Sequence, residues 1–295
     1  MDGLDGLAGA GLVPLEGGFS GETFLAEAAG ERTVVRVYAG RGARRGPDAV
    51  LIDAAVLTLV RDLVPVPRVL EVRRPTEDQP AVLVTSYLPG ARLDLLIQEL
   101  DDDRLGHVGA GLGSLLATLA TIPMRRTGLF TGDDLVIEPF DTDLVDWVEA
   151  HDLGWAASEL AGLRTVAARA QDLLDLVDRT CLVHSDLNAK NLLVDPDSLA
   201  VTGVLDWEFA HAGHPFTDLG NMLRFDREPT FVDAVLAAYT AGTPTAPANP
   251  LDLARAADLL ALVDLASRRG ENPVTERADE LLRAIARTGD LHASP

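Results

Sequence analysis

Three polar residues have the types and spacing to do chemistry together: Asp186, Asn191 and Asp206. The first two lie in Leu182-Val183-His184-Ser185-Asp186-Leu187-Asn188-Ala189-Lys190-Asn191-Leu192-Leu193-Val194. Asp195-Pro196 and a short turn follow, and then Val204-Leu205-Asp206-Trp207-Glu208. Apolar runs alternate with polar breaks, a pattern of short strands joined by loops. The three polar residues fall at the breaks, so they are expected to converge at one edge of a small hairpin-like structure. Hard divalent cations take oxygen ligands, so an acid, an amide and a second acid suit a bound cation and a general base.

Composition narrows the partners. The 295 residues carry 46 acids against 25 bases, a net charge of −21. That argues against nucleic acid or an anionic membrane as partner, since both require a basic surface. It is compatible with a cationic ligand, or with a merely solubilising surface. The hydrophobic fraction of 47% is that of a globular chain. One cysteine, Cys181, excludes an intrachain disulfide and suits a reducing cytoplasm, and its apolar surroundings mark it as a structural thiol. Met1-Asp2-Gly3-Leu4-Asp5 lacks the basic region of a secretory signal. Val108 to Met124 is free of charge but too short and too rich in glycine and hydroxyl groups to span a bilayer, so it reads as a buried helix. Lys190 is the one lysine of the chain.

The elements that must position the polar residues follow from patterning. Residues 12 to 38 read as three antiparallel strands, with the turn Gly17-Gly18-Phe19-Ser20-Gly21 between the first two. Glycines there let backbone amides approach a phosphate, which makes Ser20 and Gly21 candidate phosphate contacts and Arg36, on the third strand, a candidate charge partner. Asp48 to Leu63 is helical, 66–72 and 81–87 are strands, and Pro89-Gly90 looks like a linker between lobes. From Ala91 the pattern turns helical: 93–100, 103–121, 141–151, 156–179, 218–225, 231–240, 251–268 and 272–287, with 125–139 irregular and the polar hairpin interrupting at 181–209. The division expected is a β-rich lobe with one helix over 1–88 and a mainly helical lobe over 89–295, with a ligand cleft between them.

Within that frame, His-Ser-Asp-Leu-Asn-Ala-Lys-Asn at 184–191, Val-Leu-Asp-Trp-Glu at 204–208 and Asp218-Leu219-Gly220-Asn221 resemble the catalytic and metal loops of the aminoglycoside phosphotransferases. That family includes choline, homoserine and fructosamine kinases and is distantly similar to protein kinases. The resemblance implies an α+β, two-lobed protein-kinase-like fold and a phosphotransferase using ATP or GTP with Mg²⁺. It makes Asp186 the catalytic base or orienting acid for a hydroxyl, with Asn191 and Asp206 as metal ligands. His184 and Asp218 would support the loop. Arg36 would take the place of the protein-kinase lysine, paired with Asp53 on the following helix, unless Asp53 faces solvent. The backbone of Ser86 to Leu88 would meet the adenine edge, and Lys190 would reach the γ-phosphate or remain a solvated loop residue. Ser185 stands where relatives commonly have glycine.

The acceptor is the least legible part. In this family it is held by the helical lobe, and antibiotic kinases line that site with acids. Here Asp252, Asp258, Asp264, Glu271, Glu276, Asp279 and Glu280 are available. The expectation is a cationic small molecule such as an aminoglycoside or basic peptide antibiotic, in a monomer or weak dimer conferring resistance. The alternatives are a metabolic kinase for a sugar, amino alcohol or macrolide, and a nucleotide-binding protein without catalysis.

Overall fold

Alternation along Glu31–Tyr38 decides which way the first sheet faces. Val35 and Val37 point into a core with Ala26, Val82 and Val84, so Arg36, between them, emerges on the opposite face. In the computed structural model, which describes residues 11–15, 22–28, 30–39, 45–140, 143–243 and 249–294, the chain forms two compact units. The first comprises the described residues of Met1–Glu99 with Leu129–Glu138 and Ala189–Ala210. The second comprises Leu100–Gly128, the described residues of Pro139–Asn188, and those of His211–Pro295.

In the first unit β1 (Gly11–Pro14), β2 (Glu22–Ala28), β3 (Glu31–Tyr38), β4 (Val69–Arg73) and β5 (Ala81–Ser86) form an antiparallel sheet in the order β1-β2-β3-β5-β4. The register sets Arg36 opposite Thr23 on one side and Leu83 on the other. Helix α1 (Ala49–Val60) packs on β4 and β5. It buries Asp53 along with Val50, Val56, Leu57 and Val60, so the acid faces inward.

The unit does not end at residue 88. Strand β6 (Ala91–Arg92) pairs antiparallel with β10 (Leu192–Val194), which pairs in turn with β11 (Val201–Val204). Pro89-Gly90, expected to be a linker, is tied to this hairpin. The Thr202 hydroxyl donates to the Pro89 carbonyl at 2.8 Å, and Gly90, at φ +144°, sits where a Cβ would collide with Thr202 Oγ1 and press on the Val194 carbonyl. Leu93–Leu95 and Ile97–Glu99 are 3₁₀ turns rather than the expected helix. Their apolar positions three and four apart serve one turn each, with Leu93 and Ile97 buried. The stretch read as irregular contains β7 (Gly128–Thr131) and β8 (Val136–Pro139), joined as a hairpin.

The second unit is mainly helical: α2 (Asp102–Ala120), α3 (Leu144–Ala150), α4 (Ala157–Leu174), α5 (Thr217–Leu223), α6 (Pro229–Gly242), α7 (Pro250–Ser267) and α8 (Pro273–Thr288). Small residues on α2 let α6 approach closely. Gly109 and Gly113, one turn apart, lie against the Phe231 and Val235 carbonyls, with no room for a side chain at Gly113. Asp101 caps α2 by accepting from the Arg104 amide, and Asn272 with Thr275 closes a capping box on α8. The antiparallel pair β9 (Cys181–Val183) and β12 (His211–Gly213) carries the loop that holds Asp186. Among the described residues no helix is long and apolar enough to cross a membrane.

Candidate active site

Arg36 joins two acids in the first unit. Its Nη1 donates to Asp206 Oδ1 at 3.1 Å and its Nη2 to Glu208 Oε2 at 2.5 Å. Burial works against the guanidinium charge, but Asp206, Tyr38, Asp53 and Glu208 outweigh it and push the Arg36 pKa up. The expected forked pair with Asp53 is not where these hydrogen bonds run. Asp53 accepts from Arg45 at 2.7 and 2.9 Å and from the Tyr38 hydroxyl at 2.6 Å, so its carboxylate is already bracketed by a guanidinium and a phenol. Asp53 acts on Arg36 through charge, and Arg36 lies 5.4 Å from the Tyr38 ring centroid. Glu208, from the short turn Trp207–Phe209 that packs on α1, joins Asp206 in tying β3 to the segment that follows β11.

Asn191 and Asp206 do meet at one end of the β10–β11 hairpin. Leu192 opposes Val204, and the Leu205 amide donates to the Asn191 carbonyl at 2.9 Å, so residues 191 and 206 both lie just beyond the last rung of the ladder. Asp206 adopts a left-handed backbone (φ +60°), which aspartate tolerates better than most side chains and which turns the chain sharply out of β11. An amide oxygen and a carboxylate oxygen are hard donors. They match the one or two protein ligands Mg²⁺ takes when phosphates and water complete its shell. Lys190 occupies the turn Ala189–Asn191 and is partly exposed.

In the second unit Asp186 is presented by a braced turn. The buried Asp218 carboxylate, on α5, accepts from the His184 amide and from the Ser185 amide, each at 2.8 Å. Burial pushes the Asp218 carboxyl above its ordinary pKa, opposed by His184 and by those two amides. His184 is fully buried, and its Nδ1 accepts from the Asp186 amide at 3.3 Å. Ser185 has φ +68°, a left-handed backbone that glycine would adopt without steric cost. The Asn188 side-chain amide donates both to the Asp186 carbonyl at 3.0 Å and to Asp186 Oδ1 at 2.9 Å. Cys181, on β9, is buried and its thiol is pushed up to about 12, as expected of a structural thiol.

A family model described as the phosphotransferase enzyme family, APH, matches residues 11–251. The chain belongs to that family. Its curated relatives include an aminoglycoside 3'-phosphotransferase of Streptomyces ribosidificus, 29% identical over 154 residues, covering 50% of this chain and 54% of the relative. Another is acyl-CoA dehydrogenase family member 11 of Mus musculus, 40% identical over 55 residues, covering 19% of this chain and 7% of that protein. The chain thus spans about half of one relative and a small part of the other. Among solved structures, the GDP complex of wild-type aminoglycoside 2'-phosphotransferase-IIIa superposes with a TM-score of 0.69 at 16% identity, covering 95% of this chain and 93% of the other. Aminoglycoside phosphotransferase APH(4)-Ia superposes with a TM-score of 0.67 at 19% identity, covering 97% of each chain. The fold of this phosphotransferase-family chain is accordingly the α+β, protein-kinase-like one.

The remaining candidates of this family member divide clearly. Ser20 and Gly21 lie outside the described residues. Ser86 ends β5, where its amide donates to the Arg68 carbonyl and its hydroxyl accepts from the Arg68 amide. Leu88 packs on Gly203 of β11. Of the acids expected to line an acceptor site, Asp258 is buried in a bidentate pair with Arg224, assisted by Asn221. Asp279 is buried against Trp155 Nε1 and Arg283. Asp264 pairs with Arg268, and Asp252 with His292. Glu271, Glu276 and Glu280 are exposed. Three partners escaped the sequence reading: Glu208, Arg45 and Asn188. Glu208 and Asn188 had a signal in standing two residues from Asp206 and Asp186, whereas Arg45 sits in a loop with no pattern to single it out.

Proposed function

We propose that the protein transfers the γ-phosphoryl group of ATP or GTP to a hydroxyl of a small molecule. The acceptor oxygen forms a bond to the γ-phosphorus as the bond from that phosphorus to the β-phosphate oxygen breaks. The hydroxyl proton passes to the Asp186 carboxylate, and the nucleoside diphosphate leaves. Asn191 and Asp206 are the residues to hold Mg²⁺, which when bound supplies neutralisation of phosphate charge. Arg36, whose charge is secured by its acidic neighbours, is placed to contact phosphate from β3, with Ser20, Gly21 and Lys190 as further contacts and Ser86 to Leu88 along the base.

The observation that carries the reading is the Asp218 brace. A buried carboxylate is committed to two loop amides, so that the left-handed turn at Ser185 holds the backbone that carries Asp186. Such rigidity suits a reaction that needs positioning more than covalent help. For the acceptor we favour a cationic antibiotic, an aminoglycoside or basic peptide, in a resistance role and in a reducing cytoplasm. Support comes from the net charge of −21 and from the exposed Glu271, Glu276 and Glu280. Asp258 and Asp279 drop out of that argument because they are committed to internal partners.

The test is incubation with Mg-ATP or Mg-GTP and a panel of aminoglycosides, basic peptides, sugars, amino alcohols and macrolides, reading the gain of one phosphoryl group by mass. Modification of an aminoglycoside or basic peptide, lost in Asp186→Ala with nucleotide binding retained, is the expected result. Modification of a neutral sugar alone would move the assignment to metabolism. Nucleotide binding with no transfer would make it a binding protein.

A further inference from the structure

We propose that Asn188 is a positioning residue for Asp186, fixing the orientation of the carboxylate that receives the acceptor's proton; the inference rests on the phosphotransferase reading above. The geometry is specific. One side-chain nitrogen reaches the Asp186 backbone carbonyl at 3.0 Å and its carboxylate Oδ1 at 2.9 Å. A carbonyl and an ionised carboxylate can only accept, so the amide face turned toward them must be the NH₂. Leu187, between the two residues, is fully buried and anchors the backbone, so the bifurcated contact is not a chance meeting of loose side chains.

The consequence concerns rotation about the Asp186 Cβ–Cγ bond. A carboxylate held only by its backbone samples that torsion broadly. Tying Oδ1 to an amide that is itself tied to the carbonyl of the same residue closes a short ring and restricts the torsion. With Oδ1 held by Asn188, the carboxylate plane is fixed, and the carboxylate takes the proton in that orientation when the acceptor oxygen bonds to phosphorus. The brace from Asp218 and His184 fixes the backbone of residues 184–186, and Asn188 fixes the side chain. The two devices act on different degrees of freedom.

The variants are Asn188→Ala, which removes the donor, and Asn188→Asp, which keeps the shape, removes the donor and sets a second carboxylate beside the first. Both are assayed on the acceptor found in the panel. Asn188→Ala is expected to lower kcat by ~10- to 100-fold, the scale of a misplaced catalytic group, with the KM values for nucleotide and acceptor and the melting temperature little changed. Asn188→Asp is expected to lower kcat further, because like charges disfavour each other. Wild-type kcat in both variants overturns the proposal, as does a loss carried by KM or melting temperature, the pattern of a merely structural residue. Independently, the ¹⁵N-labelled Asn188 side-chain resonances should shift in Asp186→Ala; unmoved resonances overturn the hydrogen bond itself. If the wild-type protein modifies no acceptor, the phosphotransferase reading fails and takes the catalytic role with it, and the resonance measurement still decides the contact.

Discussion

Arg36 and Glu208, 172 residues apart in sequence, form a 2.5 Å ion pair, and the same guanidinium also holds Asp206. One planar fork thus spans two carboxylates separated by a single residue, Trp207. Glu208 is 5% exposed at its side chain and Asp206 29%, so solvent and ions reach Asp206 more readily than Glu208. A cation on Asp206 would take over part of Arg36's role there and leave the arginine held by Glu208.

Glu208→Gln is therefore expected to weaken Mg-nucleotide binding although Glu208 is not assigned a ligand role. Charged hydrogen bonds of this kind contribute about 1.5–3 kcal/mol, which predicts at least a ~10-fold rise in the nucleotide Kd by calorimetry. Arg36→Lys should produce a similar loss, because a single ammonium lacks the fork that reaches both acids. An unchanged Kd in both variants would remove Arg36 and Glu208 from the site.

Ser185 holds a left-handed backbone that costs a non-glycine residue roughly 1–2 kcal/mol. Ser185→Gly removes that strain and adds chain entropy to the unfolded state, so denaturant unfolding should show stability within about 1 kcal/mol of wild type. Ser185→Val should lose more than about 1 kcal/mol, since a β-branched residue tolerates this conformation least. Equal stability of the two variants would contradict the assigned backbone.

His214 gives the protein an acid-sensitive point. Burial lowers its pKa from 6.5 to about 4, with Arg179 adding to the shift and the Leu174 carbonyl and Asp175 opposing it. Between those values the unfolded chain binds the proton and the folded one does not, so stability should fall as pH drops from about 6.5 toward 4. The full shift corresponds to roughly 3 kcal/mol at most. His214→Asn should flatten that part of the urea-midpoint profile, and a variant with the wild-type slope would exclude His214 as its source.

Gly90→Ala tests whether the 89–90 segment is a linker or a packed corner. A linker would accept the methyl group freely. Pressed against Thr202 and the Val194 carbonyl, Gly90→Ala should cost about 1–3 kcal/mol, read as a lower urea midpoint.

What the sequence by itself determined was local. Alternation of Val35, Arg36 and Val37 was enough to place the arginine on the face away from the core, because a strand's side-chain period of two admits no other arrangement. The spacing of Asn191 and Asp206 around two apolar runs put both at the breaks of a hairpin, and in the structure both stand just beyond the last rung of its ladder. Helix positions followed from apolar periodicity to within a few residues, except at 93–99, where two buried positions suffice for 3₁₀ turns and cannot be told from a short helix. Choice of partner was decided by tertiary structure alone. Asp53 could have met any of several arginines, and it went to Arg45 because Tyr38 and Arg45 enclose it on the buried side of α1. In sequence, Asp258 and Asp279 look like surface acids on helices. The packing of α5, α7 and α8 turned them inward, where Arg224 and Arg283 neutralise them. An ion pair depends on which side chains arrive within hydrogen-bond reach after the backbone has packed, and that information is not carried by spacing along the chain.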